Sequence, residues 1–79
     1  MARLFIGAGR LAGIRPQNLV GAIAGEAGIS GSEVGAIEIA DRFSVVEVPE
    51  DRATRVINAL RASQIKGKKV TVRRDRKEA

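Results

Sequence analysis

The chain predicts an α+β domain in which two helices cover one face of a four-stranded antiparallel sheet, in the order β-α-β-β-α-β and with strand order 4-1-3-2. Three observations lead there. Four short apolar runs alternate with a period of two, and two longer ones repeat at helical spacing. The residues between them are those that turns and helix ends require. The element order is that of the ferredoxin-like split βαβ arrangement, and right-handed crossovers in its two halves bring both helices to the same face. At 79 residues the chain has material for one modest core. Residues 1–74 are expected to form the domain and residues 75–79 a basic disordered tail.

The first strand is expected over residues 3–9, with Leu4 and Ile6 facing the core and Arg3, Phe5 and Gly7 facing away. A glycine-spaced loop, Gly7 to Gly13, follows. Pro16 suits the first helical position, Ile14 and Leu19 have the spacing of a hydrophobic staple around Arg15, and Leu19, Val20, Ile23 and Ala27 form the stripe that Gly28 ends. Ser30-Gly31-Ser32-Glu33 has capping-box spacing but opens only a short turn.

The second strand spans 36–40, with Ile37 and Ile39 on one face, and Asp41-Arg42 is short enough to be a hairpin loop. The third spans 43–48, placing Ser44, Val46 and Val48 on one face and Phe43, Val45 and Glu47 on the other, and Pro49 stops it. The second helix covers about 50–62, with Glu50 and Asp51 at its positive end and Ala53, Val56, Ile57 and Leu60 as its apolar stripe. Lys66-Gly67-Lys68 is a turn into a fourth strand over 69–73, with Val70 and Val72 inward and Lys69, Thr71 and Arg73 outward.

The chain has no Cys and no His, which removes disulfides, thiolate metal sites and the usual neutral-pH general base, so catalysis within this chain is not expected. Glu50 and Asp51 are better explained as helix-start charges than as a catalytic pair. No apolar run reaches the length of a membrane span, and no signal-peptide pattern is present, so a cytoplasmic setting without membrane contact is expected.

The net charge of +5 is localised. Through residue 65, seven basic residues balance seven acidic ones; from Lys66 onward, Lys66, Lys68, Lys69, Arg73, Arg74, Arg76 and Lys77 face only Asp75 and Glu78. A concentrated basic end points to a polyanionic partner, against the simpler reading of a solubilising tail. Arg52, Arg55 and Arg61, interleaved with acids on the second helix, read as a solvated face. Gly7-x-Gly9-x-x-x-Gly13 is one residue too long for a dinucleotide fingerprint, and its helix starts late.

The outward sheet face therefore collects cations from the first and fourth strands, Phe5 and Phe43, and acids (Glu38, Asp41, Glu47) on the second and third strands and their connection. Leu4-Phe5-Ile6-Gly7 resembles the short motif on the first strand of RNA recognition motif domains, and Asp41 to Val48 occupies the place of the longer motif, with Phe43 retained and Val45 where a second ring is usual. The runs Ile14-Arg15-Pro16, Val20-Gly21-Ala22-Ile23, Gly28-Ile29-Ser30, Val34-Gly35-Ala36-Ile37, Ser44 to Pro49 and Ile65 to Val70 together resemble the DbpA-type RNA-binding domain over residues 3–74. That family forms the C-terminal appendage of bacterial DEAD-box RNA helicases, including the cold-shock helicases.

The resemblance implies an RNA recognition motif-like fold, structured ribosomal or messenger RNA as partner, and a helicase core in the same parent chain. ATP and Mg would belong to that core, with no cofactor in this domain. RNA contacts are expected from Arg3, Arg10, Arg42, Lys66, Lys68, Lys69, Arg73, Arg74, Arg76 and Lys77 through phosphates and from Phe5 and Phe43 through stacking. RNA shape is expected to be read by loops 7–15 and 40–43. A monomer is expected. The reading from another class is a ferredoxin-like protein-interaction or small-molecule regulatory module that dimerises through the open face, using Val45, Ala36 and Ala40.

Overall fold

A computed structural model of the chain describes residues 1–65 and 67–75. Strand β1 (Ala2–Ile6) is followed by helix α1 (Pro16–Ala27), strands β2 (Ile37–Ile39) and β3 (Ser44–Val48), helix α2 (Ala53–Arg61) and strand β4 (Val72–Arg74). Short 3-10 turns occupy Arg10–Ala12, Gly31–Glu33 and Glu50–Arg52. The sheet is antiparallel throughout, in the order β2-β3-β1-β4, which is the expected 4-1-3-2.

Alternation fixes which side of the sheet is greasy. Leu4, Ile6, Val46, Val48 and Val72 point under the helices and are almost wholly buried, where they meet Leu19, Ile23 and Ala27 of α1 and Ala53, Val56, Ile57 and Leu60 of α2. Ile14, Ile29 and Ile65 close the edges of the same core. Ser44 is the one polar residue among the fully buried described side chains, and its hydroxyl donates to the Ala8 carbonyl at 2.7 Å, which ties β3 to the loop after β1.

The helix ends follow from the sequence. Pro16 opens α1, and because Arg15 carries no side-chain acceptor, closure there comes from its backbone N–H donating to Asn18 Oδ1 at 2.9 Å. The helix stops at Gly28, whose φ of 71° is left-handed. The expected short turn forms after Ser30, whose N–H donates to Glu33 Oε2 at 3.2 Å.

Several boundaries differ from expectation. β1 ends at Ile6 rather than at residue 9, because the chain turns away to seat Gly9 against the β2–β3 connection. Residues 10–12 form a 3-10 turn within what reads as plain loop. The second helix opens with the 3-10 turn before becoming α-helical at Ala53. The fourth strand begins at Val72 rather than 69: Ile65 and Lys68 exchange both backbone hydrogen bonds (2.9 and 3.0 Å), folding that segment onto itself, and pairing with β1 starts only where Gly7 N–H reaches Thr71 O at 2.8 Å. At the other end Asp75, assigned to the tail from sequence, donates its N–H to Arg3 O at 2.8 Å and so extends the pairing.

Candidate nucleic-acid interface

The open sheet face divides into an acidic end and an aromatic centre. Arg3, whose side chain is 31% exposed, stands among Glu38 (3.8 Å), Glu47 (3.9 Å) and Asp75 (3.4 Å). The cause is register: Arg3 lies opposite Glu47 on β3, Glu38 lies diagonally on β2 opposite Val45, and Asp75 sits past the end of β4. One guanidinium against three carboxylates leaves this corner negative, a poor seat for phosphate. Arg3 is thus placed apart from the cations with which the sequence groups it.

At the centre, the Phe5 and Phe43 rings stack with centroids 5.6 Å apart and planes at 22°, an offset geometry that aromatic pairs favour. The Arg73 guanidinium carbon lies 4.3 Å from the Phe5 centroid. Phe43 is the open ring, at 43% exposure, whereas Phe5 is half-buried. Val45, which lies opposite both Phe5 and Glu38, is only 5% exposed although it points away from the helices. It offers no apolar surface for pairing with a second chain.

The loop end of the sheet is built differently. Gly9 is buried, and a side-chain carbon there would fall 2.7 Å from both the N and O of Phe43 and closer still to the Ala40 carbonyl oxygen. Only glycine permits this approach, which lets Arg10 N–H donate to Ala40 O (2.8 Å) and Leu11 N–H to Asp41 O (2.9 Å). The Arg10 guanidinium reinforces the junction through Asp41 Oδ1 (3.0 Å) and Ile39 O (3.1 Å). Two loops far apart in sequence are thereby joined into one platform.

A cleft of about 340 Å³ opens on that platform, lined among others by Gly7, Gly9, Leu11, Arg42, Lys68 and Lys69. Its one acid, Asp41, already faces Arg10. Among the described residues, Arg42, Lys68 and Lys69 are exposed and make no ion pair, so their charge is available to an anion. Leu11 projects beside them at 70% exposure. Sequence reasoning missed it; the available signal was a leucine between Gly9 and Gly13 with no periodic partner. Phe43 emerges one residue from Arg42, so the cations and the open ring share one edge.

Arg73 and Arg74 diverge as neighbours on a strand must. Arg73 lies on the open face, while Arg74 turns to the helix side and pairs with Glu50 at 2.8 Å. Lys66, Arg76 and Lys77 lie outside the described residues. Among the described residues no group of three His, Cys, Asp or Glu side chains is placed to hold a metal ion, and no helix is long and apolar enough to cross a membrane.

Comparison with known proteins is consistent over most of the chain. The chain is 34% identical over 73 residues to the ATP-dependent RNA helicase DbpA of Escherichia coli (strain K12), a match covering 92% of this chain and 16% of that protein. It is 31% identical over 75 residues to DbpA of Bacillus subtilis (strain 168), covering 95% and 16%. Against the ATP-dependent RNA helicase DeaD of Buchnera aphidicola subsp. Schizaphis graminum (strain Sg), it is 31% identical over 68 residues, covering 86% and 11%. The chain therefore spans 16% or less of the length of these relatives.

Among solved structures, the Nab3 RNA recognition motif superposes with a TM-score of 0.78 at 18% identity, covering 98% of this chain and 97% of the other. The RNA-binding protein PG1 gives 0.74 at 18% identity, covering 100% and 99%. At such identity these two likenesses speak for the fold, an RNA recognition motif-like sandwich. The family model described as the DbpA RNA binding domain matches residues 3–74, and the chain belongs to that family.

Proposed function

We propose that this domain attaches an ATP-dependent DEAD-box RNA helicase core, carried elsewhere in the parent protein, to structured RNA such as ribosomal or messenger RNA, and that it does so mainly through its loop end. The observation that carries this reading is the set of Arg42, Lys68 and Lys69 around one cleft, without intramolecular acid partners among the described residues, beside the open Phe43 ring. Phosphates would bind these cations, with release of condensed counterions, and an unpaired base could stack on Phe43. Arg3, Arg10 and Arg74 serve the protein's own ion pairs and contribute little to RNA. The sequence-located cations Lys66, Arg76 and Lys77 would add to the nonspecific attraction. ATP hydrolysis, with its Mg, is the work of the core; this chain supplies only anchorage.

The test is a salt titration of affinity for a hairpin RNA with an unpaired loop. Changing Arg42, Lys68 and Lys69 together to Gln should lower the slope of log K against log salt by about 2 to 3, since each phosphate contact contributes about 0.7 to 0.9. Changing Arg3 to Gln should lower it by less than about 0.3, a fraction of one such contact. Equal slopes for the triple variant and the parent chain would refute the loop-end site.

A further inference from the structure

Phe5 is flanked on both sides. Arg73 opposes it directly across β4, with its guanidinium carbon 4.3 Å from the ring centroid, and Phe43 stacks on it from the β3 side. The guanidinium donates locally, from Nη1 to the Arg74 carbonyl at 3.1 Å, and among the described residues Arg73 faces no carboxylate within ion-pairing distance. Its guanidinium carbon thus occupies the space over the ring that an unpaired nucleobase stacking there would need.

We infer that Arg73 is a displaceable cap on the Phe5 stacking surface, which sets the sheet centre against unpaired nucleobases and so favours folded RNA held at the loop end. This rests on the RNA-binding reading above. A base reaching Phe5 must first remove the guanidinium, and a surface cation–π contact of this kind weighs about two- to five-fold in a binding constant. The chemistry of the cap favours arginine over lysine. Its guanidinium is planar and weakly hydrated and lies flat on a ring, whereas the lysine ammonium keeps the charge but is compact and strongly hydrated. The remaining neighbours leave a base no easier entry: Val45 is buried, and the adjacent corner is negative.

The test compares the parent chain, R73K, F5A and the double variant for affinity to an unpaired oligouridine and to the looped hairpin, at two salt concentrations. R73K should bind oligouridine about two- to five-fold more tightly with an unchanged salt slope, narrow the preference for the hairpin over oligouridine by the same factor, and lose its gain in the F5A background. Weaker or equal oligouridine binding by R73K, or a gain that persists without Phe5, would overturn the inference. A second readout needs no RNA. The Arg73 Nε–H proton resonance of the free domain should be displaced by the Phe5 ring current and return toward its ordinary position in F5A, and an unchanged resonance would also overturn the cap. If no variant bound either RNA, the RNA-binding reading would fall while the resonance still decided whether Phe5 is capped.

Discussion

Replacing Gly9 by Ala should damage this domain more than its size suggests. The added carbon would meet backbone atoms of Ala40 and Phe43, which cannot swing aside as a flexible side chain would. Overpacking of this kind costs about 1–3 kcal/mol, and loosening the Arg10 and Leu11 hydrogen bonds adds roughly 0.5–1.5 kcal/mol for each one lost. A total loss of about 3 kcal/mol is expected. It is a large share of the roughly 4–12 kcal/mol that a 79-residue domain commands. At about 4–8 °C per kcal/mol, Tm should fall by roughly 12–24 °C. With no Trp or Tyr in the chain, far-UV circular dichroism in urea is the suitable assay. Gly25→Ala is the control: it lies in α1 with nothing within 4 Å of the added carbon, and should stabilise by about 0.5–1 kcal/mol. A Gly9→Ala midpoint within experimental scatter of the parent would refute the close-approach argument.

Ser44→Ala should cost about 1–3 kcal/mol in urea unfolding, because it strands the Ala8 carbonyl that the buried hydroxyl satisfies. Leu60→Ala, wholly buried on α2, should cost about 2–5 kcal/mol in the same assay. Glu50→Gln should change stability by less than about 1 kcal/mol, since its pair with Arg74 is largely exposed.

What could be read from sequence was whatever depends on near neighbours. The alternation of Leu4 with Ile6 and of Val46 with Val48, and the stripe from Ala53 to Leu60, placed the core correctly because burial follows periodicity. The crossover rule then ordered the strands. Arg3 was misleading because its three acids lie 35, 44 and 72 positions away, and only the register brings them together. Gly9 looked like one glycine among several until the β2–β3 connection closed on it. The late start of β4 came from a local pairing of Ile65 with Lys68 that composition does not announce. For the site, the sequence names Arg42, Phe43, Lys68 and Lys69 but does not set them apart from Arg3, Phe5 and Arg10. The cap of Arg73 over the Phe5 ring depends on a cross-strand pair whose register composition does not fix.

The most direct test of loop-end binding is to follow backbone amide resonances while a looped hairpin RNA is titrated in. The largest shifts should fall on residues 7–12, 41–43 and 67–70, with Glu38, Val45 and Glu47 nearly unmoved. Shifts centred instead on Arg3, Val45 and Glu47, with the loop end silent, would place the RNA on the sheet face and contradict it.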